Sequence, residues 1–365
     1  MPALRQHGHP VRHQRQALTC TYCRYQWNEA NAEKTFGLDS AISELRGHTM
    51  ASGTADVRED SSVVTLKCQG CGAEVVINAD EQLQARCHWC RQTLSINTQI
   101  PNGSVPDAIL PFALTKEQAM AKIEEFVHAR RTFAASKFKQ EFVADNVMGV
   151  YIPYMIVDGN MHALLRGTGE VTTRQYTVRR KVGKDQYVTE TYYDADEYAV
   201  QRAFDILVDD LAVESAARYS AHDNSQATNN ILNAVQPYDT QNAVAYNSNY
   251  LKGFTSERRD LNIRDVDDTV EDRFLAIARA KAQPTVSRYD RGGVRWEQEG
   301  VAVRGTRWVA VYVPVWLYSY AESATGDSLV HYIAVNARNG NTMAPCPSPT
   351  PRSSRCPARW GRSPQ

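Results

Sequence analysis

The chain has no excess of charge of either sign: 41 Lys and Arg stand against 41 Asp and Glu. No global pull toward a polyanion or an acidic membrane surface follows from that balance. The common enzyme signatures are missing as well. No Gly-rich phosphate loop of the form G-x-x-x-x-G-K followed by Ser or Thr occurs, and Gly183-Lys184 runs on into Asp185, so helicase or other NTPase chemistry is not expected. There is no G-x-S-x-G elbow and no H-E-x-x-H pair, which removes the signatures of α/β-hydrolases and zincins. The acidic pairs Asp209-Asp210 and Asp267-Asp268 are adjacent. On a strand such neighbours point to opposite faces, so they read as solvated or helix-N-terminal charges. Long apolar runs are absent too. The longest, Val147 to Val157 and Val309 to Tyr318, each contain a proline and are too short to span a bilayer as a helix. The N-terminus carries Arg and His without an apolar stretch, which predicts no signal peptide.

Cysteine, in contrast, is present in a pattern. Of 8 cysteines, all but Cys346 and Cys356 fall in Cys-x-x-Cys pairs. That usage fits a reducing, cytoplasmic setting with metal-bound thiolates, not a secreted disulfide framework. Cys68-Gln69-Gly70-Cys71 and Cys87-His88-Trp89-Cys90 stand at the separation of the two knuckles of a zinc ribbon. Each knuckle sets two thiolates on a tight turn, and a hairpin between them brings four sulfurs to one tetrahedral Zn2+ with no position left for water. Val63 to Leu66 reads as the strand entering the first knuckle and Glu74 to Asn78 as the strand leaving it. A redox dithiol at Cys87/Cys90 is the alternative, but that motif belongs beside a βαβ pattern. Trp89 is expected to lie against the ribbon hairpin, with a partner-facing indole as the alternative.

Cys20-Thr21-Tyr22-Cys23 is a lone knuckle and needs two more ligands. His7, His9 and His13 are one source. The favoured reading is half of a damaged ribbon, with Gln16 to Cys20 as its returning strand and residues 1–19 poorly ordered, so a second zinc at Cys20/Cys23 is doubtful. The organisation that follows is a partial first ribbon (1–36), a linker (37–62) holding a short helix near Leu38–Leu45, the zinc ribbon (63–98), a second linker (99–107), a body (108–343) and a disordered Pro/Ser/Arg tail (344–365).

The body is expected to be α+β, with strands outnumbering helices and the zinc ribbon lying N-terminal to it. Thr115-Lys116-Glu117-Gln118 has capping-box form before an apolar helical face, so 116–130 reads as a helix. His128, near its end, reads as a helix C-terminal cation. Residues 265–282 read as a second helix, with Val266, Val270, Phe274 and Ile277 on one face. Val150–Val157, Thr172–Arg180, Tyr187–Tyr193, Val294–Trp296, Val301–Val303, Trp308–Tyr320 and Leu329–Asn336 read as strands. Phe204–Leu211 is ambiguous between strand and helix. Val311 to Tyr318 echoes Val150 to Val157, with a proline in each. A duplicated β unit is one explanation and chance the other, and each proline is expected at an edge or a bulge.

The ribbon, Val105-Pro106-Asp107-Ala108-Ile109-Leu110-Pro111-Phe112, the capped helix and Gly149-Val150-Tyr151-Ile152-Pro153-Tyr154 together resemble a family of bacterial zinc-ribbon proteins. Pro237-Tyr238-Asp239, Asn247, Tyr250-Leu251-Lys252-Gly253-Phe254 and Val313-Pro314-Val315-Trp316-Leu317 extend the resemblance across residues 16–343. The family's ribbons are TFIIB-type, and some members carry names borrowed from the primosomal replication helicase. The resemblance implies two tandem ribbons, a β-rich body and, in some members, a C-terminal membrane anchor. This chain departs from it at both ends, which read like sequence in a shifted frame.

The function expected is therefore a non-enzymatic, zinc-stabilised scaffold or interaction protein with an unidentified protein partner. Nucleic-acid association is the alternative. Its candidate contacts are Arg174, Tyr176, Arg179, Arg180, Lys181 and Lys184, where basic and aromatic residues interleave. Against it stands a hairpin whose cations simply face Glu190 and Asp194 across the strand pair.

Overall fold

The computed structural model describes residues 11–14, 17–20, 26–51, 62–79, 85–94, 99–100, 105–129, 144–183, 187–216, 235–290, 293–324 and 327–343. The readings placed on residues 1–10, on Cys23, on Lys184 and on the tail 344–365 lie outside these residues, as do those on the side chains of His13, Cys20 and His128.

Strand dominates, and helices are few. Three short strands, β1 (Val11–Gln14), β2 (Ala17–Cys20) and β3 (Gln26–Trp27), form a small antiparallel sheet. The returning strand expected over Gln16–Cys20 is its centre, described from Ala17, and β1 and most of β2 are ordered strand within the stretch 1–19 expected to be poorly ordered. Leu18 on it is fully buried and packs with Tyr250 and Leu251. The short helix lies earlier than expected, as α1 (Ala32–Phe36). Asn31 caps its N-terminus and Gly37, at φ 70°, closes its C-terminus, so only a 3-10 turn forms at Ile42–Glu44. The segment read as a linker then supplies β4 (Gly47–Met50).

All remaining described strands join one sheet. They are β5 (Val63–Lys67), β6 (Glu74–Asn78), β7 (Gln99–Ile100), β8 (Ala108–Ile109), β9 (Val147–Lys181), β10 (Tyr187–Glu214), β11 (Val244–Ala245), β12 (Thr255–Glu257), β13 (Val294–Ala324), β14 (Asp327–Asn336) and β15 (Thr342–Met343). Runs that read as separate strands are continuous here, and the ambiguous 204–211 is strand within β10. The two expected helices are present as α2 (Lys116–Ala129) and α3 (Ile263–Ala282). Thr115 and Gln118 make the reciprocal bonds of the capping box.

β9 and β13 are the spine. They pair antiparallel from Val147↔Tyr318 to Gly169↔Val294. Their residues 147–163 and 305–319 are almost all buried, because both faces of the sheet are covered. Val150, Ile152, Tyr154, Val309, Val311 and Val313 pack on one face with Cys68, Cys87 and Trp89. The opposite face packs on the helices: Tyr151, Tyr312 and Trp316 with Ile123 of α2, and Met155, Met161 and Trp308 with Val266, Val270 and Phe274 of α3. At Gly149 an added Cβ would fall 2.4 Å from Phe254; the missing side chain makes room for Phe112 and Phe254 to stack at 4.2 Å.

The two prolines of the sequence echo sit neither at an edge nor at a bulge. They face each other across the spine about a local two-fold: Tyr151↔Pro314, Ile152↔Val313, Pro153↔Tyr312. On the outer side of β9, β12 pairs parallel with Val150 and Tyr151, and β10 begins at Tyr154↔Glu214. On the outer side of β13, β8 pairs parallel with Val311 and Tyr312, and β14 begins at Val315↔Asn336. Each proline therefore falls where its outer neighbour changes. The N–H and C=O of one strand residue point to the same side, and the carbonyls of Pro153 and Pro314 accept outward, from Ser215 and Ala337. The missing donors thus point into the gaps between β12 and β10 and between β8 and β14, where no ladder bond is lost. This is why proline is tolerated in a central strand.

Candidate metal centre

The sulfurs of Cys68, Cys71, Cys87 and Cys90 lie within 4.8 Å of one another, and all four thiols are free. The cluster occupies residues 68–90, well inside the chain and not at its N-terminus. The shortest separations run across the knuckles: Cys68 to Cys90 at 3.4 Å and Cys71 to Cys87 at 3.6 Å. Four sulfurs each about 2.3 Å from one tetrahedral ion stand about 3.8 Å apart, so the spacing fits a metal tetrahedron. A dithiol of the Cys87/Cys90 type does not require Cys68 and Cys71 at these distances.

The two knuckles are built alike. In the first, Cys68 N–H donates to Ala73 and Gly72 N–H to Cys68; in the second, Cys87 N–H donates to Gln92 and Arg91 N–H to Cys87. Each loop closes through a residue at positive φ, Gly72 at 73° and Arg91 at 65°. The turn places backbone N–H groups against the sulfurs: Ala73 on Cys71, Trp89 and Cys90 on Cys87, Gln92 on Cys90. The thiols share protons. The hydrogen bond from Cys87 pulls Cys71 down to about 4 and holds Cys87 well above the usual thiol range, while burial pushes Cys90 up to about 11. Four sulfurs this close cannot all be thiolates unless a cation sits among them.

Behind the second knuckle lies a polar layer that the motif does not contain. Both inner residues of Cys87-His88-Trp89-Cys90 reach Glu257 on β12. His88 Nε2 is 2.9 Å from Glu257 Oε1, and the Trp89 indole N–H donates to the same oxygen. His88 Nδ1 meets the Thr255 hydroxyl at 3.0 Å. Glu257 and His88 are buried. Because a carboxylate only accepts, it is His88 Nε2 that donates to Glu257. Trp89 is buried and lies edge-on to Tyr332 of β14 at 5.0 Å. The indole thus faces the body sheet as well as its own hairpin. Nothing in the sequence near Thr255-Ser256-Glu257 signals this role, since the partners are far apart in the chain.

β5 and β6 pair antiparallel, and β6 then pairs with β12 through Ser256↔Val76 and Glu257↔Val75. The strands of the ribbon and of the body thus lie in one continuous sheet. Arg91 adds a further tie: its Nε donates to Ser319 of β13 at 2.8 Å, and its guanidinium lies over the Tyr318 ring.

Two other groups of residues singled out in the sequence are placed by the fold. A bulge between Val208 and Leu211 and a φ of 55° at Asp210 break the strand alternation. Asp209 and Asp210 therefore both approach Asp158 instead of pointing to opposite faces. Asp158 is already answered by Arg307, in a buried pair at 2.6 and 3.0 Å, and Asp210 accepts from Thr240. The basic–aromatic residues lie on the far part of the β9–β10 hairpin, where every described side chain from 173 to 183 is exposed. Register divides them. Arg174, Tyr176 and Arg180 share one face, and Arg179 and Lys181 the other.

Protein-family models, curated proteins and solved structures contain no match to this chain.

Proposed function

We propose that the chain is a non-enzymatic binding or scaffold protein of a reducing, cytoplasmic compartment, held together at one point by a structural zinc ion on Cys68, Cys71, Cys87 and Cys90. The observation that carries this is the four-sulfur cluster, with backbone N–H groups turned toward it and no fifth donor aimed into it among the described residues. When bound, the ion supplies a cross-link between two loops and neutralises part of the thiolate charge; a closed four-sulfur site offers no open position for catalysis. Its binding energy, on the order of 10–16 kcal/mol for structural zinc, acts as folding energy. No described helix is long and apolar enough to cross a membrane. We also read the ribbon and the proline strands as resembling the TFIIB-type bacterial zinc-ribbon family, a resemblance carried by their sequence motifs alone. We further read β8–α2–β9–β10 and β12–α3–β13–β14 as two copies of one unit, each lending its short first strand to the other's long strand.

The test is metal analysis of the full chain purified in reducing buffer. One zinc per chain is expected, cobalt substitution should give the absorption of a tetrahedral tetrathiolate site, and Cys87→Ser should bring the stoichiometry close to zero. Metal-free protein, or a native Cys87–Cys90 disulfide under those conditions, overturns the reading.

A further inference from the structure

Beyond Gly169↔Val294, β9 pairs with no described strand except β10, and past Thr172, which donates to Asp290, the two strands run on together. The hairpin continues as a two-stranded arm from Thr173 to Lys181, about 30 Å at the usual rise of a strand. A lone two-stranded ribbon is marginal in water, yet this one exposes Tyr176, Val178, Tyr187, Val188, Tyr192 and Tyr193, each at least 37% accessible. The core makes no use of it.

The two faces of the arm differ in charge. On one, Arg174 stands opposite Asp194, and Tyr176 stacks on Tyr192 at 5.9 Å. The Tyr192 hydroxyl donates to Glu190 at 2.7 Å. Cations and carboxylates balance there. On the other face the pairs are Gln175↔Tyr193, Thr177↔Thr191, Arg179↔Thr189 and Lys181↔Tyr187. Among the described residues no carboxylate interrupts it. Arg179 lies over the Tyr187 ring at 4.5 Å and Lys181 at 5.9 Å, which gathers two cations around one exposed aromatic surface.

We propose that this acid-free face, carried by Arg179, Lys181 and Tyr187, binds single-stranded nucleic acid. Phosphates pair with the two cations and a base stacks on the tyrosine. That combination of cations and an aromatic platform recognises a strand without reading its sequence. The opposite face, its cations answered by its own carboxylates, offers phosphate no net attraction and takes no part. The proposal rests on the reading of the chain as a binding protein but not on its metal.

The test uses the full chain and a fluorescein-labelled, mixed-sequence single-stranded 20-mer, followed by anisotropy at about 50 mM salt and upward. Binding that weakens steeply with salt is expected. The double variant Arg179→Ala/Lys181→Ala should weaken it at least tenfold and reduce the salt slope by about 1.4, since each phosphate contact on a single strand contributes about 0.7. Tyr187→Ala should weaken it several-fold with the slope unchanged. Arg174→Ala/Arg180→Ala should change affinity less than threefold. No binding at low salt, equal losses from the two double variants, or an arm that captures only a protein ligand overturns the proposal. Zinc content is measured on each variant. Wild-type protein that binds the strand but holds no metal would refute the zinc reading alone, and zinc-loaded protein that ignores the strand would refute this one alone.

Discussion

Arg91 and Glu214 are two residues kept against their local preference. Arg91 closes the second knuckle at φ 65°, the position that Gly72 fills in the first. A left-handed backbone costs a non-glycine residue roughly 1–2 kcal/mol, and here the side chain offsets it through Ser319 and Tyr318. Arg91→Ala keeps the strain and loses the ties, so it should be less stable than Arg91→Gly by about 1 kcal/mol in urea denaturation. Glu214 is buried, with the Tyr154 hydroxyl 3.3 Å away as a donor, and burial pushes its carboxyl up to about 7. The folded state therefore favours the protonated acid. Its contribution is fully present below the ordinary glutamate range near 4.5 and is lost as pH rises through about 7, a difference of up to about 3 kcal/mol. Glu214→Gln keeps an acceptor for Tyr154 and removes the titration. The stability of the variant relative to wild type should rise between pH 5 and pH 8 in denaturant titrations; a constant difference would refute the assignment.

Elements in this chain begin and end where short-range chemistry dictates. Asn262 accepts from Arg264 and Asp265 N–H while the Asp265 carboxylate reaches back to Asn262 N–H, so α3 starts two residues before the apolar periodicity suggests. Asn262→Ala should cost about 1 kcal/mol and shift the thermal midpoint by a degree or two, readable by circular dichroism. The helices were legible because capping and a 3.6-residue period are local. The great length of β9 and β13 was not. Residues 158–172 and 296–308 alternate poorly in hydropathy, and they stay extended only because each has a long antiparallel partner. The prolines misled for the same reason. Their cost depends on which side of the strand lacks a neighbour, and that is set by β8 and β12.

In the whole molecule the cysteine cluster is a joint and not an appendage. β6 pairs with β12, β12 with β9, and the knuckle residues His88 and Trp89 both end on Glu257. On the proposed metal reading, a strong chelator, or Cys87→Ser, should therefore lower the thermal midpoint of the body as well as the ribbon, in one coincident transition seen by far-ultraviolet dichroism and by Trp fluorescence. Two separated transitions, the body unchanged, would show the ribbon to be energetically independent. The local two-fold at Ile152↔Val313 has a consequence at the same scale. Ser215 and Ala337 close equivalent gaps, yet the first lies next to a buried acid and the second next to Asn336, whose amide donates to the carbonyls of Val235 and Pro237.

From its sequence alone this protein determined the cysteine spacing, the helix caps, the β-rich composition of the body and the echo of two proline strands. All of these depend on residues within a turn or two of one another, so neighbours along the chain suffice to encode them. Only the tertiary structure decided which partners those features meet. Strand register put Arg179 and Lys181 on one face and Arg174 and Arg180 on the other. A bulge turned Asp209 and Asp210 to the same side. A three-residue strand carried Glu257 beneath a knuckle that lies 169 positions away from it in the chain. Such meetings are fixed by long-range pairing and burial, where a shift of one residue reverses every side chain, and no local pattern in the chain records the outcome.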